Sequence, residues 1–278
     1  MARFVTWNVW NGGIDPDGSE KRRHDQIEVL AQLDPQPTIL AIQEARGWRH
    51  NRFRRLYELA NALGMALAMD PVKSRLGDGE NYTALLYRPG PATVLGADPS
   101  FGAGVFHHGL LAAHMDVEGV DTMVCATHLS YVDGDERLRE VRWLTDNAGT
   151  FPGRPDNAVL LMDGNVDRLD GPEPNWDTDV PANMHARYRL VLPEGTFDGS
   201  DRRAMGVLLK AGWKDPQDQL GTSRAATVGF KYANEPTPQH FDHILIAGKQ
   251  IRPRSYTTLA TAEVDRVSDH RAVVLDTA

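Results

Sequence analysis

Ser268-Asp269-His270-Arg271-Ala272-Val273-Val274-Leu275 is the stretch from which the fold can be read. A carboxylate and an imidazole stand side by side where an apolar run begins, which puts an oxygen donor and a proton-handling ring at the edge of a sheet. Taken alone, Ser-Asp-His is an ordinary turn or helix-capping sequence. Its weight comes from other apolar runs that meet polar groups in the same way. Phe4-Val5-Thr6-Trp7 runs into Asn8 before Gly12 and Gly13 mark a turn, and Thr38 to Ile42 runs into Gln43 and Glu44. The strand expected over residues 122–129 delivers His128. The one over residues 158–162 leads straight into Asp163-Gly164-Asn165, and Asp242 heads the run His243 to Ile246.

Helical spacings lie between these strands. A helix is expected over about residues 20–33, with Ser19 as its cap, Ile27, Leu30, Ala31 and Leu33 on its inner side, and Pro35 and Pro37 stopping it. A second covers residues 48–63, where Phe53, Leu56, Tyr57, Leu59, Ala60 and Leu63 recur at helical spacing and Gly64 closes the element. Its leading portion carries Arg46, Arg49, His50, Arg52, Arg54 and Arg55, which reads equally as a solvated face or a phosphate-contacting patch. A third helix opens at Asp133-Gly134-Asp135, with Leu138, Val141, Trp143 and Leu144 as its buried stripe, and a short one covers residues 202–210. Residues 110–117 and 122–129 read as a strand pair turning at Glu118-Gly119, and residues 83–88 as another strand. Residues 171–199 are too long and irregular for a simple connector. Alternating strands and helices, with some strands consecutive, define an α/β class with much antiparallel pairing.

No linker, charge block or low-complexity run divides the 278 residues, so one domain over residues 1–278 is expected. A formal net charge of -8 weakens the case for tight non-specific binding to nucleic acid, although a local basic patch is compatible with it. Nothing approaches a membrane span. The start, Met1-Ala2-Arg3-Phe4, lacks the progression of a signal peptide, and the lone Cys125 in an apolar strand fits a reducing compartment. A cytoplasmic protein with no evident obligate protein partner is the expectation.

The strand-associated polar groups are Asn8, Glu44, His128, Asp163, Asn165, Asp242, Asp269 and His270. Hard oxygen donors of this kind suit Mg²⁺, with Mn²⁺ as a substitute, and no Cys pair or His-x-x-x-His points to structural zinc. Carboxylates with two imidazoles orient a water and stabilise a phosphoryl group, which points to phosphoester hydrolysis. Individually each has a plainer reading: Asn8 a turn residue, Glu44 a surface charge, His128 a packed or capping ring, Asp242 a strand-edge cap. Asp163 to Asp167 also has the look of a calcium loop, but Arg168 stands where such a loop needs Gly and Pro174 where it needs Glu.

Taken in order, Trp7-Asn8, Gln43-Glu44, Thr127-His128-Leu129, Asp163-Gly164-Asn165, Asp242-His243-Ile244 and Ser268-Asp269-His270 resemble the endonuclease/exonuclease/phosphatase superfamily over essentially the whole chain. The resemblance implies a four-layer α/β sandwich, two mixed β-sheets packed face to face with helices outside. It implies that Glu44 is the principal Mg²⁺ ligand, with Asn8 and Asp269 close to the metal. Asp163 would orient or deprotonate the attacking water, and Asn165 would hold a phosphate oxygen. His270 would pair with Asp242, and His128 would contact the phosphate on the leaving-group side. Deoxyribonuclease-like members back that last histidine with an acidic residue before the strand that here begins at Thr83, and the matching place holds Glu80-Asn81.

One local departure is that Met162 precedes Asp163 and Gly164 separates it from Asn165, where the family usually has Gly and a bulky apolar residue. A glycine there would loosen a group that should be rigid. The activity expected is phosphodiester cleavage, with Arg46 placed like a DNA-contacting arginine of deoxyribonuclease-like members. The alternative substrate is a small phosphorylated metabolite, nucleotide or lipid head group, walled by Trp176, His185, Arg187, Tyr188 and Arg189. A non-catalytic binding module on the same fold is the reading of a different class.

Overall fold

The computed structural model describes residues 1–75, 79–233 and 235–278. Its strands are β1 (Arg3–Asn8), β2 (Ile39–Gln43), β3 (Ala66–Leu67), β4 (Val72–Lys73), β5 (Tyr82–Tyr87), β6 (Ala92–Ala97) and β7 (Leu110–Val117). They continue with β8 (Val120–His128), β9 (Asn157–Asp163), β10 (Arg189–Val191), β11 (Phe197–Ser200), β12 (Asp242–Ala247), β13 (Pro253–Thr258) and β14 (Val273–Thr277). One mixed sheet has the order β13-β14-β1-β2-β5-β3, with β4 also on β5, and the other the order β12-β9-β8-β7-β6. A separate hairpin pairs β10 with β11.

The apolar runs are continuous because both faces of each sheet are covered. Phe4, Ile39, Leu85, Val273 and Leu275 of the first sheet meet Leu111, Val124, Val159, Leu161 and Ile244 of the second in one core. The alternate residues Val5, Trp7, Leu40, Ile42 and Val274 pack outward on α1 (Lys21–Ala31), α2 (His50–Leu63) and α7 (Ala262–Val267). Cys125, Leu160, Met162 and Leu245 face α3 (Gly134–Val141) and α5 (Arg203–Ala211) on the far side. Helix, sheet, sheet, helix is the four-layer α/β sandwich. The short helices α4 (His185–Tyr188) and α6 (Pro216–Leu220) lie outside this scheme. No helix among the described residues is long and apolar enough to cross a membrane.

Several local expectations need correction. α1 begins at Lys21 with Glu20, not Ser19, at the cap position, and the Ser19 hydroxyl only accepts from the Lys21 amide. Its inner side is polar: Arg22, Arg23 and Gln26 are buried with Leu30, while Ala31 is exposed. Main-chain carbonyls accept from Arg22 and from Gln26, whose Nε2 donates to Val9 and Val267 at 2.8 Å each while its Oε1 is buried without a partner among the described residues. α2 starts at His50, and Asn51, Arg52 and Phe53 are left-handed, with φ of 51°, 56° and 61°, so the arginine-rich start is a turn rather than a regular helical face. Gly64 does close the helix in the left-handed conformation. In α3, Asp133 caps the Glu136 amide, but Arg137 and Glu140 are buried with Val141, Leu138 is only half-buried, and Trp143 lies exposed beyond the helix. Residues 171–199 hold α4, β10 and most of β11.

Candidate active site

Strand direction explains why the polar groups meet. β1 runs parallel to β2, and β8 to β9, so these four contribute their C-terminal ends: Asn8, Glu44 just past Gln43, His128 and Asp163. β12 and β14 run antiparallel to β9 and β1, so they contribute their beginnings. Asp242 accordingly pairs with Asp163 in register, and Ser268 to His270 precede β14 beside Asn8. The buried Ser268 hydroxyl locks this approach by donating to the Asn8 carbonyl at 2.7 Å, while Trp7 Nε1 donates to the His270 carbonyl at 2.9 Å.

Asp163 is the hub. Its Oδ2 accepts from Asn8 Nδ2 at 2.8 Å and lies 3.3 Å from His128 Nε2 and 3.7 Å from His270 Nδ1. Its Oδ1 accepts from the Asn165 amide at 3.1 Å. His270 Nδ1 sits 2.8 Å from Asp242 Oδ2. Burial opposes a charge on His270, but Asp242, Asp163 and Asp269 outweigh it and hold the imidazolium form well above its usual range. Burial and Asp163 push Asp242 up to about 6 against the pull of His270. His128 is held well below its usual range, first by burial and then by His270 and His107, so its ring is neutral.

On the other side of Asp163, Asn8 Nδ2 also reaches Glu44 Oε1 at 3.3 Å, and Glu44 Oε2 accepts from the Asn11 amide at 2.9 Å. The Asn8 amide oxygen is taken up by the Trp10 N–H at 3.0 Å, so its nitrogen faces Glu44. Burial, then the Asp269 carboxylate, raises the Glu44 carboxyl above its usual range. Asp269 accepts from the Tyr232 hydroxyl at 2.9 Å through Oδ2, and its Oδ1 is buried with no hydrogen-bond partner among the described residues. Two carboxylates side by side, one with an orphaned buried oxygen, are a donor set that fits a hard divalent cation. Asp163, Asp242 and His270 also bring ligand atoms within 4.8 Å of one another, but they bond to each other. In Glu20, His24 and Glu58, a group outside this site, the carboxylates are occupied by Arg23, Arg54 and Arg55.

Asn165 is left-handed at φ 46° and donates through Nδ2 to the Leu129 carbonyl at 3.0 Å. The Gly164 departure does not loosen this turn. Its amide donates to the Phe241 carbonyl at 2.7 Å, and a Cβ there would meet that oxygen at 3.2 Å and His243 Cδ2 at 3.3 Å. Glu80 does not back His128: it bonds Lys73 and the Tyr82 hydroxyl, and His128 Nδ1 is buried without a partner among the described residues. Instead His128 stacks on His108, ring centroids 3.9 Å apart and 18° from parallel. His108 Nδ1 lies 2.8 Å from the Ser74 hydroxyl, and burial first, then His128, His107 and Arg46, oppose protonation of that ring. Sequence reasoning missed His107-His108, although two adjacent histidines at the head of β7 were a visible signal.

Of the residues expected to wall a small-ester pocket, Trp176 and Tyr188 do so. His185 stands outside it and contacts the Trp176 ring edge-on, Arg189 covers Trp176, and Arg187 covers the Tyr131 ring. The other walls, from residues 228–241, were not anticipated.

A four-layer sandwich with carboxylates, amides and imidazoles converging at one edge defines a phosphoesterase-type fold. The family model described as "Endonuclease/Exonuclease/phosphatase family" matches residues 5–270, and the chain belongs to that family, whose members hydrolyse phosphoesters. Among solved structures it is similar to a mannosyl-6-phosphatase of Bacteroides thetaiotaomicron, at 16% identity and TM-score 0.65 over 100% of both chains. It is also similar to D. rerio TDP2 complexed with a single-strand DNA product, at 17% identity and TM-score 0.66 over 100% of this chain and 98% of that one. For the human Nocturnin catalytic domain with bound sulfate the values are 14% and 0.64 over 100% and 93%. At these identities the likeness is one of fold. No curated protein matches the sequence.

Proposed function

We propose that the chain is a divalent-cation-dependent phosphoesterase, organised as one catalytic domain over residues 1–278, that cleaves a phosphoester with an attacking water. The observation that carries this is the Asp163 hub, bonded to Asn8 and Asn165, beside His128 and His270, with Glu44 one amide away. Glu44 and Asp269 would hold Mg²⁺, or Mn²⁺ in its place, and the bound cation would offset charge building on the phosphoryl oxygens. Asn8 keeps Glu44 and Asp163 in register. Asp163 orients the water and takes its proton. His270, kept cationic by Asp242, faces the phosphoryl group together with Asn165. His128, buried and neutral, donates a hydrogen bond and does not release a proton.

A small phosphoester fits the surface better than a polymer. Arg54 and Arg55 are bound by Glu58 and Glu20, so the arginine-rich turn offers less positive charge than its sequence implies. Nuclease activity is favoured by one observation, the exposed Arg49 and Arg52 on the turn that follows Glu44. The buried thiol of Cys125 supports a reducing, cytoplasmic setting.

The test is a panel of phosphomonoesters, phosphodiesters and oligonucleotides assayed with Mg²⁺, with Mn²⁺ and with chelator. Hydrolysis that requires the cation and disappears in Glu44→Ala is expected. Full turnover by Glu44→Ala, or no hydrolysis of any ester, refutes the proposal. No hydrolysis would favour a binding module on this fold. A steep fall of oligonucleotide cleavage with salt, absent for small esters, identifies a polymer substrate.

A further inference from the structure

Beside Asn165, Asp269 and His270 opens a partly solvent-open pocket. The chemistry above uses only that edge of it. Trp176, Tyr188, Tyr232 and Phe241 give the pocket aromatic surface, and Glu235 and Gln239 give it polar groups. Tyr188 stacks on Phe241 with centroids 6.0 Å apart, and its hydroxyl donates to Glu235 Oε1 at 3.1 Å. The second oxygen of Glu235 and the side-chain amide of Gln239 have no partner among the described residues.

The charge of these walls restricts what enters. Among the described residues Lys231 is the only Lys or Arg lining the pocket, and its ammonium is held by the carbonyls of Asp265 and Arg266 at 3.1 and 3.3 Å and lies 5.0 Å over the Trp10 ring. A second phosphate, as in a nucleic-acid strand or a polyphosphate, would meet the Glu235 carboxylate, and beyond His270, which the phosphoryl group already occupies, Lys231 is the one cation among these described walls, its ammonium already turned to two main-chain carbonyls. A quaternary ammonium would suit the aromatic faces and the carboxylate but would offer the half-buried Gln239 amide no hydrogen bond. Hydroxyl groups satisfy both: they donate to Glu235, exchange bonds in both directions with Gln239, and sit on a carbon ring whose C–H face packs on aromatic side chains. We propose that this pocket binds the organic part of the substrate as an uncharged polyhydroxylated ring, so that the ester is a sugar or cyclitol phosphate. This rests on the phosphoesterase reading and adds the substrate class to it.

The experiment uses the full chain with Mg²⁺ and compares kcat/KM for a hexose phosphate, inositol monophosphate, phosphocholine and a short oligonucleotide. The aryl esters p-nitrophenyl phosphate and bis(p-nitrophenyl) phosphate serve as reporters that carry no hydroxylated ring. The sugar or cyclitol phosphate is expected to lead phosphocholine and the oligonucleotide by about tenfold or more, well within what a site that bonds substrate hydroxyls can reach. Gln239→Ala and Glu235→Gln, each checked for folding by circular dichroism, are expected to lower the sugar-to-aryl ratio of kcat/KM about tenfold, mainly through KM. Equal or better turnover of phosphocholine or oligonucleotide overturns the proposal, as does a ratio that neither variant moves. Cation-dependent cleavage of the aryl esters without a sugar preference overturns it while leaving the phosphoesterase reading intact. No cleavage of any ester overturns both.

Discussion

Glu140 gives a prediction whose size follows from the structure. It is fully buried on α3, and its carboxylate accepts the amides of His107 at 2.6 Å and Ser130 at 2.8 Å, tying together the two loops that flank the His108–His128 stack. Burial, reinforced by Glu136, lifts its carboxyl from the ordinary 4.5 to about 7, against the pull of the two amides and Arg137. The folded state therefore retains a proton that the unfolded chain has released between these values. The corresponding stabilisation is fully present below about pH 4.5 and is lost as pH rises through about 7. Each pH unit across which only the folded state holds that proton is worth about 1.4 kcal/mol, so the wild type should lose roughly 2.5 kcal/mol between about pH 5 and 8 from this group alone. Glu140→Gln cannot titrate, and its NH₂ must face one of the two amides, which costs about 1–3 kcal/mol at every pH. Urea unfolding of both proteins across that range should show the wild type more stable at the acid end and the gap narrowing by roughly 2.5 kcal/mol toward the alkaline end. Parallel stability curves would refute the assignment, because every other titrating group is common to both proteins.

Other perturbations have simpler readouts. Asn8→Ala removes the amide that joins Glu44 to Asp163 and should lower kcat by about tenfold or more, measured on the best ester of the panel well below the melting range, since leaving buried Asp163 and the Trp10 amide short of a partner also costs about 1–3 kcal/mol of stability; unchanged kcat would deny the bridge a role. Gly12 has φ 68° and a Cβ there would fall 2.2 Å from the Arg46 carbonyl, so Gly12→Ala should cost at least about 2 kcal/mol in thermal unfolding. A melting temperature equal to wild type would show that the loop yields. Replacing Arg49 and Arg52 together by Ala should leave small-ester hydrolysis and its salt dependence as they were. A selective loss of oligonucleotide cleavage would instead identify the turn as a polymer contact.

The strand ends were legible because two independent signals coincide there. Ile39 to Ile42 and Ala158 to Met162 are apolar without alternation, and Phe4 to Trp7 is so but for Thr6, as strands covered on both faces must be, and each stops at a group that apolar packing has no use for. The inner face of α1 was not legible, since periodicity counts apolar residues. Arg22 is buried because it bonds the Trp10 carbonyl nearby and the Val267 carbonyl from the far end of the chain, partners that no local pattern announces. The left-handed turn at Asn51 to Phe53, at the start of α2, escaped for a related reason: Asn51 favours that conformation, but Arg52 and Phe53 continue the composition of the helix. Tertiary contacts also decided Trp143, whose spacing in α3 is right for the buried stripe but which falls past the helix end and packs edge-on against Phe101 at the surface. The pocket was hidden because residues 228–241 carry no long run of either period.

The same buried polar face of α1 accounts for part of the strain at the site, that of the loop after β1. Trp10, Asn11, Glu44 and Asn165 are all left-handed, with φ of 48°, 53°, 57° and 46°, although none is glycine. Each such residue costs on the order of 1–3 kcal/mol unless its surroundings leave no alternative. Around Trp10 and Asn11 they leave none: Arg22 holds the Trp10 carbonyl at 2.8 Å, Gln26 holds the carbonyls of Val9 and Val267, and the Asn11 amide closes on Glu44. Arg22 and Gln26 thus fix the loop after β1 to the segment before β14, so that Asn8, Glu44 and Asp269 come together on a backbone too constrained to relax. The polar residues that spoil the amphipathic pattern of α1 are therefore what places the candidate cation ligands, although they themselves stand apart from any group that would touch a substrate.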